Sequence, residues 1–425
     1  MKTTLLFTTF TVAIAAYAAP TFPDVYSRNA AELATTRDRI LRGDPALAPV
    51  LDRLRAEADH ALQFKPVSVM DKPRVPPSGD KHDYLSQAPY WWPDPNEPDG
   101  LPFIRRDGRV NPQSKEGTDA RPWESLVAKV ETLSLAYYFT NHEPYAQHAA
   151  ELVRTWFLNP ATRMNPSLRF AQYVPGRNDG RGGGILEMRH LTRICDSLAL
   201  IAGSPAWSEA DKNGFHQWLA VYFDWLTTSP NGHDEANAQN NHGSWYDVQA
   251  AHLALVLGKT SFAKKILTDG LEIRIGRQIE PDGTQPFELA RTKSLSYSLF
   301  NLEALCNLAT LAEHVNVDWW SYTTPDGQSL RAALRYLAPY TDPNKAWVEN
   351  DLVAASRTEL LPLLAEALRH GEDPEFRDLL EKFGTASPAQ RAARWQLFSP
   401  LRNCASLDQP KPTLLTEDST LLGQK

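Results

Sequence analysis

Asn240, Asn241, His242, Gly243, Ser244, Trp245, Tyr246 and Asp247 stand together in the chain, and Arg291 and Tyr297 follow further along. These residues hold the groups needed to draw a proton from a carbon beside a carboxylate. An uncharged amide, an imidazole and a guanidinium can stabilise a developing carboxylate dianion, and a phenol near the guanidinium can serve first as base and then as acid. That is the chemistry of β-elimination in a polymer of uronic acids. In a 4-O-linked uronic acid the C5 proton is too weakly acidic to lose while the carboxylate keeps its full charge. Hydrogen bonds from Asn241, a protonated His242 and Arg291 would favour the dianionic intermediate over the ground state, which is where catalytic gain arises. Tyr297, with an ordinary pKa of about 10, needs positive charge nearby to ionise, and Arg291 is the obvious source. If the phenolate takes the C5 proton and returns one to O4, the elimination is syn. Where the two lie on opposite faces of the ring, His242 would be the base and Tyr297 the acid. The product carries a C4–C5 double bond conjugated to the carboxylate, and no spacing in the chain demands a metal or other cofactor.

These groups must be positioned by the elements around them. Ser244 is the expected cap of a helix from Trp245 to about Leu257, closed by Gly258. Asn241 and His242 then lie just before the helix start, where free amides and the helix dipole favour negative charge. On an ideal helix Arg291 and Tyr297 would point about 120° apart. They converge only if Arg291 sits in the first turn or just outside it. The turn signal Pro281-Asp282-Gly283-Thr284-Gln285-Pro286 predicts a helix beginning near Leu289 to Thr292. Between His82 and Arg109, the run Ala88-Pro89-Tyr90-Trp91-Trp92-Pro93-Asp94-Pro95 predicts a rigid loop presenting Tyr90, Trp91 and Trp92 to a groove, or else a hydrophobic plug. Arg105 and Arg106 follow it and can bind carboxylates or simply be solvated. The loop Gly176 to Gly184 carries Arg177 and Arg181 and precedes a helix with Arg189 and Arg193. Its glycines would let backbone approach a ligand, and its arginines supply local positive charge. It lacks the Lys-Ser/Thr ending of a phosphate-binding loop. Asn240 and Tyr246 complete the candidate binding set. Taken singly, each feature has a plainer reading: an Asn-His capping turn, a surface ion pair at Arg291, and a half-buried packing role for Tyr297.

The chain has 425 residues, a hydrophobic content of 42% and a formal net charge of -7, so it holds a sizeable core and is not a generic polyanion binder. Any positive charge for an acidic substrate must be local, and nucleic acid is not an expected partner. Twelve Trp suit sugar-stacking surfaces as well as a large core, with packing the commoner fate of any one of them. Lys2, the apolar stretch from Leu5 to Ala16 and the small residues Ala16 and Ala18 read as a signal peptide over residues 1–18, with cleavage after Ala18 or Ala19. Export to periplasm or medium follows, without a membrane anchor. Cys195, Cys306 and Cys404 are too few and scattered for a disulfide framework or a metal site, and read as buried thiols. Residues 28 to 64 read as two helices broken at Gly43-Asp44-Pro45, and 65 to 116 as irregular. From about Ala120 onward, helical periodicity recurs over 121–141, 144–157, 184–203, 207–228, 244–257, 260–275, 292–315, 328–340, 354–370 and 373–383. With strand alternation nearly absent and no fixed repeat, this predicts an all-α fold. Its form would be an incomplete α/α toroid of roughly six or seven helical hairpins. One domain over 19–398, a loosely packed tail over 399–425, and a monomer or weak oligomer complete the expectation.

The segment from Asp83 to Gly108 with its Tyr-Trp-Trp-Pro-Asp-Pro core, the Asn240-Asn241-His242 element and the Arg291 to Tyr297 segment together resemble the alginate lyase domain superfamily. The nearest likeness is to the glucuronan and alginate lyases of polysaccharide lyase family 38, over roughly residues 60 to 345. The resemblance implies an α/α toroid and an acidic polysaccharide substrate. It also implies that Asn241, His242 and Arg291 neutralise the carboxylate and that Tyr297 is the catalytic acid and base. Two other readings compete. A glycoside hydrolase on the same scaffold would use Glu235 or Asp247 with Glu187, and an exported glycan-binding protein would need only the aromatic loop.

Overall fold

A computed structural model describes residues 22–349, 351–352 and 354–398. The expected leader at 1–18, the tail at 399–425 and Cys404 lie outside the described residues. The helices are α1 (Ala30–Leu41), α2 (Ala48–Ala61), α3 (Ala120–Thr140), α4 (Glu143–Val153), α5 (Leu191–Leu200), α6 (Glu209–Thr228), α7 (Pro230–Ala236) and α8 (Asn241–Val256). They continue as α9 (Thr260–Gly270), α10 (Pro286–Leu289), α11 (Ser294–Glu313), α12 (Leu330–Leu337), α13 (Leu360–Arg369), α14 (Pro374–Gly384) and α15 (Pro388–Arg391).

The apolar content of each helix decides its layer. In α3, α8 and α11 most positions are buried, which only a helix packed by protein on more than one side can sustain. These helices form the inner wall: α2, α3, α5, α8, α11 and α13 pack side to side in that order. Their partners α4, α9, α12 and α14 lie outside as the second arms of hairpins, and α6 packs across α8. The result is the α/α toroid expected from the periodicity. Ends meet where Arg369 of α13 pairs with Glu32 of α1 at 2.9 Å, and where Arg394 reaches both Glu57 and Glu131. One apolar core runs from Val25 to Leu397. Trp123, Trp156 and Trp319 lie fully inside it, while Trp91 and Trp92 stay half-buried at the surface. Cys195 and Cys306 are buried free thiols. No helix among the described residues is long and apolar enough to cross a membrane.

Short strands lie among the helices: β1 (Leu85–Gln87) of the irregular region pairs in parallel with β4 (Phe170–Tyr173), further along the chain, and β2 (Trp91–Trp92) pairs antiparallel with β3 (Ile104–Arg105). The Tyr-Trp-Trp run therefore sits on a small hairpin.

Several boundaries differ from the periodic reading. The segment expected as helix from 184 begins as a 3-10 stretch, Gly182–His190, because its leading glycines disfavour the α conformation. Both α4 and α9 end in wide π turns, Arg154–Leu158 and Leu271–Gly276. The short helices α7 and α10 were too brief to leave a periodic signal, yet both carry site residues.

Candidate functional site

The site is built first at the start of α8. Asn240 is the cap, its side-chain oxygen accepting the His242 N–H at 3.2 Å. The helix thus begins at Asn241, ahead of the expected Ser244 cap. Asn caps as well as Ser does, and the Ser244 hydroxyl is occupied inside the helix, donating to Gln278 Oε1 at 3.0 Å. Asn241 and His242 accordingly lie in the first turn, where backbone N–H groups have no intrahelical acceptor. A buried carboxylate supplies one: Glu288 of α10 accepts from the Asn241 backbone N–H and from its amide nitrogen, both at 2.7 Å. His242 Nδ1 lies 2.6 Å from Glu235 Oε1 of α7. A carboxylate only accepts, so it holds the proton on Nδ1 and leaves Nε2 as the nitrogen available for chemistry. Behind this turn Arg274 pairs with Asp247 at 2.7 Å and donates to the carbonyls of Ala238 and Ala236, pinning the link between α7 and α8. Gly243 permits that approach, since a Cβ there would collide with the Ala238 carbonyl and the Arg274 guanidinium.

Arg291 lies in the turn between α10 and α11, just outside the helix, which is the placement its spacing from Tyr297 requires. Its guanidinium carbon sits 3.9 Å from the centroid of the Tyr297 ring. It also forks onto Asp107, with Nη2 to Oδ1 at 2.9 Å and Nε to Oδ2 at 3.2 Å. The Tyr297 hydroxyl donates to the Tyr90 hydroxyl at 2.8 Å. Burial raises the Tyr297 pKa well above the ordinary phenol range, the bond to Tyr90 raises it further, and Arg291 offsets only part. The expectation that Arg291 ionises this phenol is corrected on that balance: Tyr297 rests as a neutral acid. Asp107 is pulled down to about 2, because the hydrogen bond and charge of Arg291 outweigh its burial.

The aromatic hairpin packs against both arginine-bearing segments. Arg177 lies over Trp91 at 5.1 Å and Arg106 over Trp92 at 5.5 Å. Trp92 Nε1 donates to the Arg109 carbonyl at 2.9 Å. Arg105 is exposed and pairs with Asp107 at 2.7 Å. Arg181 donates to Gln172 Oε1 at 2.6 Å, and Gln172 itself holds a φ of 49, a strained backbone for a non-glycine residue.

Two expectations are revised. Gly180 and Gly184 were expected to admit a ligand to the backbone, but they admit the chain itself: a Cβ at either would strike the backbone of Arg169–Ala171. Tyr246 was expected to touch substrate, but its ring is part of the apolar core and its hydroxyl is taken up by the Leu226 carbonyl of α6. Asn240 serves as the cap already described. The three carboxylates considered for hydrolysis are each engaged: Glu235 with His242, Asp247 with Arg274, and Glu187 with the Tyr84 hydroxyl at 2.7 Å. Sequence reasoning missed Glu288, Asp107 and Gln172. Glu288 and Asp107 act through partners 47 and 184 positions away, which no local pattern marks.

Among known proteins, the alginate lyase family profile matches residues 68–347. An alginate lyase from Bacteroides ovatus is 37% identical, with a TM-score of 0.85 over 89% of this chain and 100% of that one. A histidine-to-alanine variant of alginate lyase A1-III, complexed with a tetrasaccharide, is 16% identical with a TM-score of 0.57, covering 89% of this chain and 96% of that one. A tyrosine-to-phenylalanine variant of the same enzyme, also with a tetrasaccharide, has a TM-score of 0.55 at 16% identity, covering 89% of this chain and 97% of that one. At that identity the likeness to A1-III speaks for the fold alone. No curated protein matches the chain.

Proposed function

The chain belongs to the alginate lyase family and is a polysaccharide lyase, and from that premise we propose that it cleaves 4-O-linked uronic acid polymers, glucuronan or alginate, at the residues gathered by α8, α10, the start of α11 and the aromatic hairpin. The reading carries with it a place beside the glucuronan and alginate lyases of polysaccharide lyase family 38, and export from the cell. One observation supports it above the rest. Glu288 accepts from Asn241 with its side chain and from the Arg291 N–H with its carbonyl at 3.1 Å, so α10 draws both halves of the constellation together.

In this mechanism the uronate carboxylate meets Asn241 and Arg291, joined by the His242 Nε2–H where the imidazole is protonated and is not itself the base, and their hydrogen bonds and charge strengthen as the C5 proton leaves and the dianion forms. Arg291 exchanges part of its fork on Asp107 for the substrate carboxylate. Tyr297, resting as a neutral phenol, delivers its proton to O4 as the glycosidic bond breaks. Where C5–H and O4 lie on opposite faces, His242 Nε2 takes the C5 proton, with Glu235 steadying the imidazolium. Where they share a face, Tyr297 must first be deprotonated: the Tyr90 hydroxyl accepts its proton while releasing its own to solvent, and the Tyr297 phenolate then takes the C5 proton and returns it to O4. Tyr90, Trp91 and Trp92 with Arg105, Arg177 and Arg181 line the path of the polymer, offering stacking faces and countercharge.

The test is the ultraviolet absorbance of the conjugated product on separate incubation with polyglucuronate, polymannuronate and polyguluronate. Absorbance should rise with at least one polymer. Tyr297→Phe should lower kcat by about a thousandfold or more, the loss of an acid and base in one group. New reducing ends without absorbance would replace elimination by hydrolysis.

A further inference from the structure

Elimination needs cations and neutral donors around the substrate carboxylate, yet the first turn of α8 rests on a buried negative group. Glu288 is 1% exposed and Asn241 is 1% exposed. Both Glu288 oxygens are acceptors, one for the Asn241 backbone N–H and one for its amide nitrogen. Such paired charge-assisted bonds are short and directional. Their effect on the amide is specific. An acceptor-only partner forces the nitrogen edge of Asn241 toward α10 and blocks the flipped rotamer, in which Oδ1 would face Glu288. What remains to donate to a carboxylate is the second amide hydrogen, while Oδ1, buried without any partner, can only accept.

Glu288 is itself held in place. Gln285 at the start of α10 donates to the Ser298 carbonyl at 3.1 Å and accepts from Asn301 at 2.8 Å. Asn301 also donates to Gln278 at 3.0 Å, and Gln278 accepts the Ser244 hydroxyl of α8. This buried chain of amides ties α8, α10 and α11 into one unit, with Tyr297 adjoining Ser298 on α11. Glu288 is the link that carries the unit's rigidity into Asn241.

We propose that Glu288 is a positioning residue for the elimination, its two-point grip on Asn241 fixing which edge of the amide meets the uronate carboxylate. The proposal rests on the reading that Asn241 faces that carboxylate. Glu288→Gln keeps the shape but turns one acceptor into a donor, so either the grip breaks or the Asn241 amide flips. The experiment is a double-mutant cycle in the full chain, with kcat and KM measured on the polyuronate that the wild type cleaves, together with thermal melts. Glu288→Gln should lower kcat about ten- to a hundredfold with KM changed less than about threefold, the range seen when an orienting partner is lost. In an Asn241→Ala background the same change should have little further effect, because the two act as a unit. Glu288→Asp, which keeps a carboxylate on a shorter arm, should fall between wild type and Glu288→Gln.

A purely structural Glu288 would lower the melting temperature and leave kcat of the folded enzyme unchanged. That result, or equal losses in both backgrounds, overturns the proposal. Should Glu288→Gln fail to fold, a folded Glu288→Asp with wild-type kcat overturns it equally. Full activity in Asn241→Ala alone would instead remove the underlying reading of Asn241.

Discussion

At the scale of single residues, the site turns on how one guanidinium is shared. Arg291 packs on the Tyr297 ring and forks onto Asp107, which also receives Arg105 and the Thr292 hydroxyl. Asp107 therefore aims Arg291 while occupying part of its donor set. Asp107→Asn should lower kcat/KM about tenfold, since the aim depends on a charge-assisted fork and a tenfold loss corresponds to about 1.4 kcal/mol. Steady-state kinetics reads this directly. The same carboxyl has a folded pKa depressed from 3.8 to about 2, so its contribution to stability is complete above 3.8 and is lost as pH falls toward 2. In Asp107→Asn that part of the acid-unfolding slope should be missing. The candidate set Asn241, His242, Arg291 and Tyr297 was legible because their chemical types suit a single reaction. The protonation of Tyr297 was not, because it depends on how deeply the ring is buried against how closely Arg291 approaches.

At the scale of elements, three short pieces set the geometry: the cap of α8, the four-residue α10 and the hairpin of β2 and β3. Asn240 and Ser244 were both competent caps, and local pattern could not choose between them. The choice follows from partners on other helices, with Gln278 taking the Ser244 hydroxyl and Glu288 taking the first free N–H of α8. The close approach of the Ala238 carbonyl and Arg274 to Gly243 gives a sharp prediction. Gly243→Ala forces backbone or guanidinium to shift and should cost about 1–3 kcal/mol, as overpacking does. Denaturant unfolding measures that cost. Because the displaced turn carries Asn241 and His242, kcat should fall as well, whereas an exposed helix position such as Val221→Ala should leave both unchanged.

At the scale of the whole molecule, the ring of helices holds titratable groups away from water, and its stability should follow pH accordingly. His190 stands where the 3-10 segment meets α5, and burial, with Arg189 and Arg193 beside it, depresses its pKa from 6.5 to about 2. The folded state keeps it neutral while the unfolded chain takes up a proton. Its contribution is thus complete above 6.5 and is lost progressively as pH falls toward 2. Melting temperature should decline below 6.5, and His190→Asn should flatten that decline. The sequence by itself determined the helical order, the irregular aromatic segment and the residue types of the site, because apolar periodicity and clustered breakers are local properties of the chain. Only tertiary structure decided which cap begins α8, that the glycines of the 176–184 loop serve chain packing, that Tyr246 belongs to the core and that Glu288 and Asp107 hold the site. Each of these depends on groups distant in sequence, brought together by closure of the ring, and on burial that outweighs a neighbouring charge.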